Sequence, residues 1–170
     1  PAEQLRTDGY ERKPWVVEEP GFTVELTTTG SLGGLHRVAL TATGADGEES
    51  SAHSVSIQVP PGSGLRITTS DTRTLRAYVS APHSSALYFQ GLLFDGAMAV
   101  TNLDDSTEQL TTDGLAPMPV CVEYAAYHGV LIGRRDNCLF VSLPMYPHLS
   151  DPIAGFFQYT GTIKALAVTD

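Results

Sequence analysis

Apolar and polar residues alternate along most of the chain, and the alternating runs are rich in β-branched residues. A period of two is typical of β-strands with one buried face. Ten strands are predicted on this basis, over residues 22–29, 36–43, 53–59, 65–70, 75–80, 87–94, 120–127, 130–133, 138–144 and 155–168. No long segment has the period of a helix, and parallel strands need helical crossovers. The sequence therefore predicts an all-β fold, a mostly antiparallel sandwich, jelly roll or closed barrel.

Glycine, proline and aspartate separate these runs and predict the turns. The segments TGSLGG (29–34) and PPGSG (60–64) are interpreted as loops between successive strands, and the first of them as a hairpin loop. A chain of 170 residues suits one domain. We expect residues 14–170 to form a single β-barrel or sandwich domain, preceded by a linker or short helix over residues 1–13.

The most explicit local pattern is a three-stranded meander late in the chain. YHG (127–129) is expected to close its first hairpin, and RRDN (134–137) to form a four-residue turn in the second. In this register Gly133 lies opposite Tyr124 on one side and Cys138 on the other.

The same register bears on the two cysteines. Cys121 would lie three residues further along its strand than the partner of Gly133, which places it about 14 Å from Cys138. A disulfide requires Cα atoms within about 7 Å of each other. We therefore expect two free, mostly buried thiols, and a disulfide in a secreted domain is the alternative.

Composition and charge narrow the function classes. The hydrophobic fraction of 42% and the charged fraction of 17% are those of a globular chain, and no apolar run is long enough for a membrane span. The net charge of −9 repels phosphate backbones, which argues against nucleic-acid binding. No signal-peptide pattern opens the chain, so we expect residue 1 to begin an excised domain or a mature fragment.

Motifs of enzymes and metal sites are missing from the sequence. It contains no nucleophile elbow, zinc-protease motif, phosphate-binding loop or dinucleotide fingerprint. The histidines never fall at metal-ligand spacing, and neither cysteine has a C-x-x-C partner. The sequence thus predicts no catalytic activity, no cofactor and no metal. Two alternatives stay open: Cys121 or Cys138 as a nucleophile with His128 as its base, and calcium binding by NLDDS (102–106).

Two loops are the candidates for a binding surface. The adjacent arginines Arg134 and Arg135, with Asp136, form the densest basic spot of an acidic chain and suit an acidic receptor or glycan. Tyr146 and His148 lie in a long connection stiffened by three prolines, and stiff loops lose little entropy when they bind.

The chain as a whole resembles the surface-projecting domains of small RNA-virus capsid proteins, such as the astrovirus spike and the hepevirus protruding domain. The features that carry the resemblance are the Gly/Pro/Thr/Ser-rich all-β texture, the Pro-Pro-Gly turn in SIQVPPGSGLRI, the closing strand FFQYTGTIKALAV and the lack of an N-glycan acceptor site. The resemblance implies a β-barrel or sandwich on the virion surface that forms a homodimer. It also implies binding to a host-cell receptor and to neutralising antibodies.

Two other classes of protein fit the same pattern. A bacterial or phage adhesion module of Ig-like type would also lack motifs, and it would be secreted or held at the cell surface. A carbohydrate-binding or hydrolytic β-sandwich should show a concave face with exposed aromatic side chains or opposed carboxylates.

Overall fold

The prediction of an all-β, mostly antiparallel fold is confirmed. A computed structural model describes residues 5–7, 12–14, 17–44 and 47–167, and these residues contain thirteen strands and no helix. Every pair of neighbouring strands runs antiparallel. Within this described part of the chain, no helix is long and apolar enough to cross a membrane.

The chain divides into two compact units, each with a sheet of its own. Residues 18–113 form the larger one, called the large unit below. The described residues of 1–17 and 114–170 form the small unit. The prediction of a single domain over 14–170 stays a prediction.

The predicted linker or short helix over 1–13 lies partly outside the described residues. Within that stretch, β1 (Leu5–Thr7) pairs with β2 (Arg12–Pro14) in a two-stranded antiparallel sheet. These residues are therefore extended, and no helix includes them.

The large unit contains a five-stranded sheet with the order β6-β5-β3-β4-β7. Its strands are β3 (Thr23–Ala42), β4 (Val55–Thr68), β5 (Leu75–Ser80), β6 (Leu87–Leu93) and β7 (Ala97–Val100). The two longest strands, β3 and β4, lie next to each other and form a ribbon to which the other strands are added.

The predicted loops TGSLGG and PPGSG lie inside this ribbon, so their interpretation as connections between strands is wrong. Leu32 pairs with Ser63, and the register shifts on both sides of this pair. A Cβ on Gly30 would lie 2.4 Å from the backbone oxygen of Ser63. The glycines are required because the two backbones approach each other at a double bulge, which bends the ribbon without ending the pairing.

The bend at this bulge is large. A straight strand of 20 residues such as β3 would be about 60 Å long. The two ends of β3 are nevertheless close. The last residue, Ala42, pairs with Leu75, which in turn pairs with Leu93. The first residue, Thr23, pairs with Thr68, which in turn pairs with Ala97. Four Cα steps from Leu93 to Ala97 span at most about 15 Å. The sheet is therefore curled into a half-barrel.

The core of the large unit lies along both faces of β3. On one face, Val38 and Leu40 are completely buried. On the other face, Ala39 packs with Tyr78 in a cluster that also contains Ala52, Leu87 and Leu110. Burial of each large aliphatic side chain stabilises the fold by about 1.5–3 kcal/mol relative to exposure.

The small unit contains a six-stranded sheet with the order β8-β12-β11-β10-β9, and β13 pairs with the same β11. Its strands are β8 (Ala116–Pro117), β9 (Glu123–Tyr127), β10 (Val130–Arg135), β11 (Cys138–Leu143), β12 (Tyr146–Ser150) and β13 (Phe156–Gln158). The predicted strand over 155–168 is thus limited to three residues, and 159–167 form no strand.

The predicted meander is confirmed in its first hairpin and wrong in its second. Gly133 pairs with Tyr124, as expected. It pairs with Phe140 on the other side and not with Cys138, because Arg135 and Cys138 already form the last pair of that hairpin. The turn is therefore two residues long. Asp136, with φ of 55°, provides the positive φ that two-residue hairpin turns need.

Candidate functional site

Arg134, predicted to belong to a binding loop, is part of strand β10 and is held by neighbouring groups. Its Nε donates a hydrogen bond of 2.5 Å to Oε2 of Glu123 on β9. Its Nη1 donates to the carbonyl oxygen of Ile163 at 3.1 Å, and the backbone N–H of Leu166 donates to the same Glu123 oxygen. Arg134 thus ties the C-terminal segment to the sheet.

Arg135 points to the opposite face of the strand and is exposed, as is Asp136. The guanidinium carbon of Arg135 lies 5.0 Å from the ring centre of Phe140. The backbone oxygen of Asp136 accepts a hydrogen bond from the N–H of Ile163. Of the two arginines in the predicted basic spot, only Arg135 is therefore exposed for contact with a ligand.

Tyr146 and His148 are not brought to the arginines. The arginine turn precedes Cys138, whereas Tyr146 pairs with Leu143 at the other end of β11, about 17 Å away. His148 is only 4% exposed, and its ring lies 6.3 Å from that of Tyr146. His148 therefore offers little surface to a ligand, Tyr146 is half-buried, and their role in a binding surface stays a prediction.

Both cysteines are free thiols, as predicted, although each is half-buried rather than mostly buried. Cys121 lies over Gly133, where a Cβ would be 2.6 Å from its Sγ. Burial raises the pKa of the Cys121 thiol, which is the opposite of what a nucleophile needs. His128 lies in the turn beyond Val130, more than about 10 Å along the strand from Gly133 and thus from Cys121. The geometry gives no support to a nucleophile–base pair.

The calcium alternative at residues 102–106 also gains no support. Asp104 accepts hydrogen bonds from the backbone N–H of Ser106 at 3.0 Å and from its hydroxyl at 2.6 Å. These bonds lower the pKa of Asp104, and they show that the carboxylate stabilises the turn in which it lies. Among the residues that the structure describes, no three histidine, cysteine or acidic side chains are placed to hold a metal ion.

A cleft of about 500 Å³ lies at the open end of the half-barrel. It lies between the connection from β4 to β5 and the turn from β6 to β7, and its lining consists of residues 69–75 and 93–96. A smaller hollow of about 340 Å³ adjoins it and shares Thr69 and Ser70. Mouths of barrels are common positions of ligand sites.

Backbone contacts fix the two walls of this cleft relative to each other. The N–H of Thr69 donates to the carbonyl oxygen of Gly96 at 2.8 Å, and its hydroxyl donates to the oxygen of Gly21. Asp95 and Gly96 have φ of 57° and 73°, values of a tight hairpin turn. The cleft is therefore formed before any ligand binds, which lowers the entropy cost of binding.

One aromatic ring and one ion pair dominate the rim. Phe94 is 68% exposed although its neighbour Leu93 is buried. The carboxylate of Asp71 accepts hydrogen bonds from Nε and Nη2 of Arg73, at 3.0 and 2.5 Å. This contact lowers the pKa of Asp71 and raises that of Arg73, so both groups stay charged and engaged with each other.

Sequence reasoning missed this cleft for a physical reason. TTSDTRT (68–74) and FDG (94–96) are about twenty residues apart, and each alone is an ordinary turn. The pairing of Leu75 with Leu93 and of Thr68 with Ala97 brings them together. The one available signal was Phe94, a bulky apolar residue directly before a tight turn.

Comparison with family profiles, with characterised proteins and with solved structures finds no match to this chain.

Proposed function

We propose that this protein is the attachment domain of a viral capsid, which projects from the virion as a spike, binds a host-cell receptor and is recognised by antibodies. The observation that carries the proposal is the preformed cleft with Phe94 exposed beside it. An exposed aromatic ring at a rigid concave surface is costly in water and is typical of binding sites. The all-β fold and the resemblance noted in the sequence supply the capsid context.

Binding is favoured over hydrolysis at this cleft. A glycoside hydrolase needs a carboxylic acid whose pKa is raised, so that it can donate a proton. The pKa of Asp71 is lowered by Arg73, and its oxygens are occupied by that guanidinium. We therefore propose a site that retains its ligand unchanged.

The receptor test compares two single variants. Labelled protein should bind susceptible cells in a saturable way, and Phe94→Ala should lower the affinity at least about tenfold, as for a central contact residue. Leu35→Ala is the matched control, because Leu35 is 39% exposed and lies on β3 about 20 Å from the cleft. Equal binding by wild type and Phe94→Ala would show that the receptor site lies elsewhere.

The capsid context has a separate test in the coding sequence upstream of residue 1. We expect a basic arm followed by a shell domain. A signal peptide with tandem β-modules would instead favour a bacterial or phage adhesin, at which the same cleft would be the adhesive site.

We further propose that the small unit forms a homodimer contact. Among the residues whose burial the structure describes, thirteen large apolar side chains are exposed, and nine of them lie in this unit. Tyr124 and Phe156 belong to one row across the sheet, through the paired residues Gly133 and Phe140, and they are 36% and 40% exposed. Apolar surface of this kind marks interfaces between proteins.

Light scattering tests the dimer directly. We expect twice the monomer mass at micromolar concentrations, and Phe156→Lys should give a monomer because it places a charge in the contact. Leu92→Lys in the large unit is the control, because Leu92 is as exposed as Phe156, and it should leave the mass unchanged. A wild-type monomer at high micromolar concentration would contradict the proposal.

A further inference from the structure

The charges in the cleft of the large unit decide which ligands it can accept. Arg73 is the one cation among the residues that line the cleft, and its guanidinium is bound to Asp71. Glu18 also lies close enough to raise the pKa of Arg73. Asp95 adds a second carboxylate on the opposite wall. An acidic ligand would therefore meet net negative charge and find no unengaged cation.

Hydroxyl groups form much of the remaining polar surface. Ser70, Thr72 and Thr74 are exposed in the cleft, and their side chains make no hydrogen bond to another described residue. A hydroxyl can both donate and accept a hydrogen bond. Together with the acceptor oxygens of Asp95, these groups match a ligand that carries many hydroxyls of its own.

The exposed ring of Phe94 provides an apolar platform beside these polar groups. A pyranose has an apolar face of C–H groups and an equatorial rim of hydroxyls, so it can stack on a ring and bond to the polar wall at the same time. The adjoining hollow, with Phe22 and Thr23 in its lining, extends the surface beyond one ring. The combined cleft has room for more than one sugar.

We infer that the cleft binds an uncharged oligosaccharide, stacked on Phe94 and hydrogen-bonded by Asp95 and the hydroxyls of residues 70–74. This inference rests on the proposed attachment function and specifies its receptor chemistry as a neutral glycan. It replaces the acidic glycan that the pair Arg134–Arg135 suggested in the sequence.

A glycan array tests the inference. The probes are oligosaccharides that end in galactose, glucose or mannose, and the same chains capped with sialic acid or sulfate. We expect binding to uncapped chains, a loss of at least about tenfold with Phe94→Ala, and no loss with Leu35→Ala. Binding should change little between low and high salt, because no ion pair with the ligand is made.

Asp95→Asn separates the effect of charge from that of shape. Asparagine tolerates the positive φ at this position and keeps one acceptor oxygen. The variant should keep binding uncapped chains and should reduce the discrimination against acid-capped ones. Wild-type binding only to capped chains would overturn the inference.

Binding to cells separates failure of the glycan inference from failure of the attachment function. Sialidase treatment of the cells should leave binding intact, and periodate oxidation of their glycans should abolish it. Binding that depends on Phe94 but survives periodate would overturn the glycan and retain attachment, with a protein receptor. Absence of cell binding by the wild type would overturn the attachment function itself.

Discussion

The side chain of Arg134 crosses from β10 to β9 and donates a hydrogen bond of 2.5 Å to Glu123, and the same carboxylate accepts the N–H of Leu166. One ion pair therefore joins two neighbouring strands and a segment that belongs to neither. Arg134 is 17% exposed in this position, so the contact is partly protected from solvent. This contact gives the two adjacent arginines different roles.

Replacement of each arginine should separate these roles. Arg134→Ala removes the bond to Glu123 and the bond to the oxygen of Ile163, so backbone amides of residues 163–166 should exchange hydrogen faster. Arg135→Ala is the matched control, since the Arg135 side chain contacts the ring of Phe140 and donates no hydrogen bond to the described residues 163–166. Hydrogen exchange measured by mass spectrometry checks this, and equal exchange in both variants would contradict a specific role of Arg134.

The period-two alternation of the sequence already indicated that Arg134 and Arg135 would have different environments. Adjacent residues of a strand point to opposite faces of the sheet, so the two arginines could not both contribute to a binding surface on one face. The predicted pairing of Gly133 with Tyr124, which is confirmed, also places Arg134 directly opposite Glu123. The interpretation as a four-residue turn concealed this cross-strand pair, although Asp136 and Asn137 suffice to form the turn.

The bend in the β3–β4 ribbon could not be predicted in the same way. Glycine and proline occur both in turns and in bulges, and only the pairing partner distinguishes the two. Leu32 and Ser63 are neighbours because the two long strands keep pairing through the irregular segment. That pairing depends on contacts between residues far apart in sequence, as does the cleft, whereas the ion pair of the cleft joins residues only two positions apart.

Acidification should loosen the C-terminal segment through Glu123. The Arg134 guanidinium, and to a lesser degree the N–H of Leu166, hold the pKa of Glu123 below its ordinary value of 4.5. A carboxylate with a lowered pKa in the folded state stabilises the fold above its ordinary pKa and loses that effect as the pH falls through the lowered value. The Leu166 amide proton shift, followed by NMR, should therefore titrate with a midpoint below 4.5. Glu123→Gln should remove this titration, and a midpoint at or above 4.5 would show that the ion pair is weak in solution.

Gly133 should not tolerate a side chain. A Cβ there would lie 2.6 Å from Sγ of Cys121 and 2.9 Å from Cε1 of Tyr124. Gly133→Ala should therefore destabilise the small unit by about 1–3 kcal/mol, as overpacking does. Chemical denaturation measures the loss, and Gly161→Ala is the control, because a Cβ at Gly161 has open space around it. A loss in Gly133→Ala no larger than in the control would mean that Cys121 moves away at little cost.

The hydroxyl of Tyr78 joins two charged groups beside the core of the large unit. It donates to Oε1 of Glu49 at 2.6 Å and accepts from Nε of Arg76 at 2.7 Å, while the ring itself is fully buried. Tyr78→Phe keeps the ring and removes both bonds, so the free energy of unfolding should fall by about 1–2 kcal/mol. Tyr88→Phe is the matched control, since the Tyr88 hydroxyl makes no hydrogen bond to a described residue, and its effect should stay within about 0.5 kcal/mol.

The contribution of Tyr78 should also depend on alkaline pH. Burial, and then the hydrogen bond to Glu49, raise the pKa of Tyr78 well above its ordinary value of 10.0. A raised pKa in the folded state means that the neutral phenol stabilises the fold fully below pH 10 and less as the pH rises toward the folded value, because only the unfolded chain ionises easily there. The difference in unfolding free energy between wild type and Tyr78→Phe should therefore shrink above pH 10. A difference that stays constant up to pH 11 would show that Tyr78 ionises as easily in the folded protein as in the unfolded chain.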